Sequence, residues 1–221
     1  LDSDEMAEDD GITLSDPEGD VSFENVNFAY TTDKPLIRDF SVDIKAGQKC
    51  AIVGPTGCGK TTLVNLLMRF YEVDSGSIKI DGTDIRDMSK AGVRSLFQMV
   101  LQDVWLFSGS IRDNVAYGRE DATDEEVLSA IEDAQLLDFV NSQKEGPDYF
   151  LSQSGANLSG GQKQRVNIAR TILKNASVYI FDDSFSALDL LTEKNLRAAL
   201  NRRLKGKTQI IITQRVSTAR K

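Results

Sequence analysis

The sequence has no histidine. Imidazole is the one side chain whose ordinary pKa puts a charge change between pH 5 and 8. Histidine catalysis and a default neutral-pH switch are therefore excluded. Cysteine is nearly absent too. Cys50 and Cys58 make no disulfide framework and read as two reduced thiols of a cytosolic protein. No apolar run approaches the roughly 18 residues that cross a bilayer, and no secretory leader is read. The chain opens on Leu1, so it is expected to be cut from a longer one. Basic residues are missing from positions 1–20, which hold nine of the 34 acids. The rest carries 25 acids against 26 bases, so the net charge of −8 belongs to the lead-in. A near-neutral body points to neither nucleic acid nor an acidic partner. The lead-in is also poor in large apolar groups and reads as a linker, with an acidic interaction tail as the alternative.

What is present centres on Gly54-Pro55-Thr56-Gly57-Cys58-Gly59-Lys60-Thr61, which fills every fixed position of the phosphate-loop pattern. Cys50 to Val53 read as a buried strand before it. Leu63, Leu66, Leu67 and Phe70 fall at helix spacing after it. Glycines let the backbone turn tightly and come close to a phosphate. Successive amides and a helix N-terminus then face the anion. Lys60 is placed to reach the β- and γ-phosphates, and the Thr61 hydroxyl to bind Mg²⁺.

Along the chain, Val21–Val26, Asn27–Tyr30 and Asp39–Ile44 read as strands of a small antiparallel sheet. Ser75 to Gly82 read as a further strand with turns at each end. Tyr30 offers a flat face that would contribute about 0.5–1.5 kcal/mol if a base stacks on it as aromatic pairs do. Gln102 ends an apolar stretch, within reach of a metal or water. Thr123 and Glu126 predict a capping box. Leu158-Ser159-Gly160-Gly161-Gln162 open a helix read from Lys163 to Lys174, a second anion site by the dipole argument. Ser177 to Asp183 form a strand ending in two carboxylates, the usual place for the acid that organises Mg²⁺. A helix over 192–204 and a last strand over 207–213, ending at Gln214, complete the chain.

Together these motifs resemble the nucleotide-binding domain of an ATP-binding cassette (ABC) exporter, over nearly all of residues 21–221. The phosphate loop matches Walker A, Leu158 to Gln162 the signature sequence, Val178 to Asp182 Walker B, and Ser186 to Asp189 the D-loop. Gln102 sits at the Q-loop position and Tyr30 at the adenine-stacking position. Leu106 to Asn114 look like the exporter version. The resemblance implies an α/β P-loop core with a parallel sheet, an antiparallel β subdomain, and an inserted helical subdomain at about 103–175. It implies ATP and Mg²⁺ as cofactors. Residues 54–62 including Thr62, Tyr30, Ser159 to Gln162 and Asp189 would bind nucleotide, and Thr61, Gln102 and Asp182 the metal. It further implies a head-to-tail partner domain, transmembrane domains beyond residues 1–20, a C-terminus trimmed short, and work at the cytoplasmic side of a cell membrane.

Two residues depart from the family pattern. Asp183 stands where Glu usually handles the attacking water, and Gln214 stands where a switch His is usual. With the signature intact, the combination resembles the degenerate half of a heterodimeric exporter. Its own site would hydrolyse slowly, while its signature loop completes a non-identical partner's site. The alternatives are a fully active homodimer, a regulatory ATP-binding module, and a soluble cassette ATPase of DNA repair or translation. The last usually carries two cassettes or a long coiled coil, and this chain shows neither heptads nor an internal repeat.

Overall fold

The computed structural model describes residues 11–101, 103–119, 121–182, 184–185 and 187–214. In chain order the elements are β1 (Val21–Ala29), β2 (Pro35–Ile44), β3 (Lys49–Val53), α1 (Lys60–Leu67), β4 (Ser75–Ile80), β5 (Thr83–Asp84), α2 (Lys90–Ser95), β6 (Phe97–Val100), β7 (Gly109–Ser110), α3 (Ile111–Ala116), α4 (Asp124–Asp133), α5 (Leu137–Ser142), β8 (Phe150–Leu151), α6 (Gly160–Leu173), β9 (Val178–Asp182), α7 (Leu190–Arg203) and β10 (Thr208–Thr213). The chain divides into two compact units. One is Leu1–Gln98 with Ala176–Ile180 and Gly206–Lys221, and the other is Met99–Asn175 with Phe181–Lys205. Among the described residues no helix is long and apolar enough to cross a membrane.

The first unit contains an antiparallel sheet of order β2-β1-β4-β5. Sequence reasoning splits its central strand in two, but β1 is continuous. The reason is a bulge. Val21 and Phe23 are buried in alternation, the register then shifts between Phe23 and Val26, and Asn25 takes a φ of 49°. A short polar side chain tolerates that left-handed backbone. The extra residue resets the phase, so Val26 and Phe28 return to the core.

A second sheet has order β3-β10-β9-β6, with β3 and β10 parallel from Gln209 opposite Lys49 to Thr213 opposite Val53. The expectation of a buried strand before the phosphate loop is corrected here. The residues of β3 alternate between exposed and half-buried, because β3 is the end strand of this sheet. Strands buried on both faces occupy the middle, as β9 does. The half-buried Cys50 and Ile52 line an apolar cavity of about 270 Å³ with Phe40, Val42, Leu63 and Leu67. Burial pushes the Cys50 thiol up, which keeps it protonated.

Residues 11–20 are tied to the same unit. Ile12 bridges to Met88. The Asp81 carboxylate accepts the backbone N–H groups of Glu18, Gly19 and Asp20 at 2.9, 3.0 and 2.7 Å. Ser177 Oγ donates to the Pro17 carbonyl at 2.8 Å, and Thr208 Oγ1 to that of Gly19 at 2.7 Å.

The second unit is mainly helical, with β7 and β8 paired antiparallel. Capping boxes start α3 (Ser110 with Asp113) and α4 (Thr123 with Glu126), the latter as predicted. Val127, Ile131 and Ala134 are buried along one face, also as read from their spacing. The fully buried Asn114 donates to the carbonyls of Phe107 and Ser110 and accepts from Arg170 Nη2 at 3.0 Å. Arg170 Nε donates to the Asn114 carbonyl at 2.7 Å. These bonds satisfy a guanidinium whose pKa is lowered by its burial.

Candidate functional site

In the first unit β3 ends at Val53 and α1 begins at Lys60, so Gly54 to Gly59 form the connecting loop. Gly57 and Gly59 take φ values of 80° and 95°, in the region that L side chains avoid. A Cβ at Gly57 would meet nothing within 4 Å, so the backbone there can be approached closely. Gly59 is the N-cap of α1 with no side-chain cap. The first-turn amides of α1 are therefore not satisfied by a side chain of the cap residue. Lys60 Nζ donates to the carbonyls of Gly54 and Pro55, each at 2.8 Å, with Cys58 Sγ 3.9 Å away. Two of the ammonium's three protons thus rest on the loop's own backbone. Thr61 is exposed, while Thr62 is buried. Its Oγ1 lies 3.1 Å from Tyr30 Oη. The sequence singled out Tyr30 and the phosphate loop separately, and the structure joins them through this contact. Gln214 follows β10 and is exposed.

The other site residues lie in the second unit. Ser159 is the N-cap of α6. Its Oγ accepts the Gln162 N–H at 3.2 Å, and Gln162 Oε1 accepts the Ser159 N–H at 2.8 Å. Because Ser159 accepts in this box, its own hydroxyl proton is left to donate. A Cβ on Gly160 would meet nothing within 4 Å, and one on Gly161 would lie 3.3 Å from the Ala187 carbonyl. Asp182 ends β9 and is half-buried. Asp189 caps α7, accepting the N–H groups of Leu191 and Thr192 at 3.1 and 3.0 Å. The hydrogen bond from the Thr192 side chain, followed by that from its backbone, holds the Asp189 carboxyl below the usual range. Asp183, Gln102 and Ser186 lie outside the described residues.

Residues adjoining them are described. The Val100 carbonyl accepts the Ser184 hydroxyl at 2.7 Å, and the Leu101 carbonyl accepts Gln164 Nε2 at 3.4 Å. The segments that begin α6 and follow β9 are thus both bonded to the chain just before Gln102. Sequence reasoning missed these contacts, and it missed Tyr71, whose ring packs on Tyr30. A tyrosine shortly after a helix carries no local pattern that marks it.

The residues that the sequence names as metal ligands carry oxygen donors, the Thr61 hydroxyl in the first unit and the Asp182 carboxylate in the second. Among the described residues no group of three or more His, Cys, Asp or Glu could hold a metal ion alone. Hydroxyl and carboxylate oxygens are each a donor type that suits Mg²⁺, a hard cation that takes the rest of its shell from phosphate and water.

Comparison with known proteins identifies the family. A family model described as ABC transporter matches residues 37–186. The β-(1→2)glucan export ATP-binding/permease protein NdvA of Agrobacterium fabrum is 46% identical over 211 residues, 96% of this chain and 36% of that protein. The fatty acid ABC transporter ATP-binding/permease protein of Mycobacterium tuberculosis is 44% identical over 220 residues, 100% of this chain and 35% of that protein. A solved structure of a bacterial Atm1-family ABC exporter with ATP bound matches with a TM-score of 0.89 at 38% identity, covering 95% of this chain and 36% of that one. The chain spans about a third of the length of these relatives. Its parallel and antiparallel sheets are those of the ABC ATPase P-loop fold. The chain belongs to the ABC transporter family, as a nucleotide-binding domain homologous to those of ABC exporters.

Proposed function

We propose that this domain binds Mg²⁺-ATP in a dimer with a non-identical partner domain and helps power efflux through transmembrane domains. It would work on the cytoplasmic side of a membrane. The observation that carries nucleotide binding is the loop at Gly57 and Gly59, left-handed and free of side chains, running into α1 with Lys60 as its first residue. On binding, Lys60 exchanges the carbonyls of Gly54 and Pro55 for phosphate oxygens. Tyr30 stacks on the base. Thr61, Gln102 and Asp182 hold the Mg²⁺, which when bound neutralises charge on the phosphates. Ser159, Gly160, Gly161 and Gln162 complete the partner's site, and Asp189 lies at the same interface.

Hydrolysis at the chain's own site is slow in this reading. Asp183 is one methylene shorter than the Glu usual there, and a misplacement of about 1 Å costs on the order of 10²-fold in rate. Gln214 can bond a phosphate oxygen but cannot exchange protons as imidazole does. Binding needs neither residue. The test is steady-state ATP turnover by the chain before and after Asp183→Glu with Gln214→His. Turnover should rise about 10²-fold, with nucleotide affinity within about twofold. If the unchanged chain already matches the double variant, the degenerate site is wrong and a fully active homodimer replaces it.

A further inference from the structure

We propose that Tyr71 is a positioning residue for the nucleotide base, holding the Tyr30 ring in the orientation in which a purine stacks on it. This rests on the reading of Tyr30 as the base platform. The Tyr30 ring is held from three directions. It meets Phe28 at 5.0 Å and 83°, and Tyr71 at 5.2 Å and 88°. Its hydroxyl lies 3.1 Å from Thr62 Oγ1. These partners come from β1, from the segment after α1, and from α1 itself, so they constrain both side-chain torsions of Tyr30. Phe28 and Tyr71 also touch each other, at 5.8 Å.

Exposure separates the two supporting rings. Phe28 is 5% exposed and belongs to the core, whereas Tyr71 is 45% exposed beside a Tyr30 that is 52% exposed. Tyr71 touches the core ring of Phe28 yet stays half-exposed, so burial alone does not account for its place beside Tyr30. A half-exposed tyrosine in Tyr30's place, without such a neighbour, samples several rotamers and loses that freedom when a base stacks on it. Perpendicular packing on Tyr71 takes up that loss before the nucleotide arrives, which raises affinity by preorganisation. The contact is made by the ring, so phenylalanine serves as well as tyrosine.

The experiment titrates this chain, with Mg²⁺, against ATP and separately against inorganic tripolyphosphate, which has no base. The variants are Tyr71→Leu, Tyr71→Phe, Tyr30→Leu and the double Tyr71→Leu/Tyr30→Leu. Tyr71→Leu should weaken ATP about two- to tenfold, the range of one aromatic pair, and leave tripolyphosphate unchanged. Tyr71→Phe should bind as the parent does, and Tyr71→Leu should cost nothing more once Tyr30 is leucine. Where the leucine variant melts early, Tyr71→Met keeps the bulk without the ring and takes its place. Equal losses for ATP and tripolyphosphate, an undiminished loss in the Tyr30→Leu background, or no loss of ATP affinity would each overturn the proposal. If Tyr30→Leu itself leaves ATP affinity unchanged, the base platform fails and this inference fails with it. If Tyr30→Leu weakens ATP and Tyr71→Leu does not, only the role of Tyr71 fails.

Discussion

Gly57 and Gly59 share a left-handed backbone, but a methyl group on each would meet different surroundings. At Gly59 the new carbon would lie 2.9 Å from Ile37 Cδ1, so the end of that side chain must shift as well. At Gly57 there is open space, and the cost to the fold is only the backbone penalty of about 1–2 kcal/mol. Gly57→Ala is therefore expected to unfold a little more easily in urea while losing far more in nucleotide affinity. The methyl group stands where a phosphate would approach the amides. Losing one hydrogen bond to a charged group, about 1.5–3 kcal/mol, corresponds to roughly ten- to 100-fold. Calorimetric titration beside a urea melt separates the two. Equal small losses in both would mean that the loop does not receive the phosphates at Gly57. Lys60 and Thr61 stand out in the sequence because the role proposed for them depends on spacing within eight residues. Tyr71 is not, because its partners Tyr30 and Phe28 lie in β1, and only folding brings that strand beside the end of α1.

At the scale of elements, α6 shows a cap at a residue for which a second role is proposed. The Ser159 hydroxyl closes a capping box with Gln162, satisfying amides that the helix leaves open at its start. Ser159→Ala should cost about 1 kcal/mol of stability. Ser159→Asp should recover it, since a carboxylate caps as well and meets the positive end of the helix. The same carboxylate would repel a phosphate presented by a partner chain. Chemical denaturation should thus rank Asp with Ser, whereas ATP-dependent pairing with the partner domain should rank Asp with Ala. Full pairing by Ser159→Asp would remove the signature loop from the shared site. The cap of α4 was legible because Thr123 and Glu126 are three apart in an otherwise plain helical pattern. The bulge in β1 was not, because its cause is the pairing of β1 with both β2 and β4. Nor was the exposure of β3, since strand order in a sheet is set by tertiary pairing while the residues of an end strand and a central strand read alike.

For the whole molecule, the absence of histidine becomes a statement about pH. Three carboxylates at helix starts are held below their ordinary range: Asp113 by the Ser110 side chain and then its backbone N–H, Glu126 by the Thr123 N–H and then Arg119, and Asp189 by Thr192. Each has a folded pKa below its unfolded value of about 4. Its contribution is therefore present above about pH 4 and is lost as pH falls through the folded value. Cys50 has the opposite sign in effect. Its folded pKa is raised, so the half-buried thiol stabilises below its unfolded value of about 8.5, and that contribution fades as pH rises beyond it. Between these edges no side chain titrates by default, because the sequence holds no His. The melting temperature should be level from about pH 6 to 8, fall below about pH 4, and decline again above about pH 9. Glu126→Gln keeps an acceptor for the Thr123 N–H but carries no titrating proton. It should shrink the acid limb while leaving the plateau nearly in place, as thermal melts across pH would record. A limb centred near pH 6.5 would point to a strongly shifted carboxylate or thiol, and would show that melting follows something other than these helix caps.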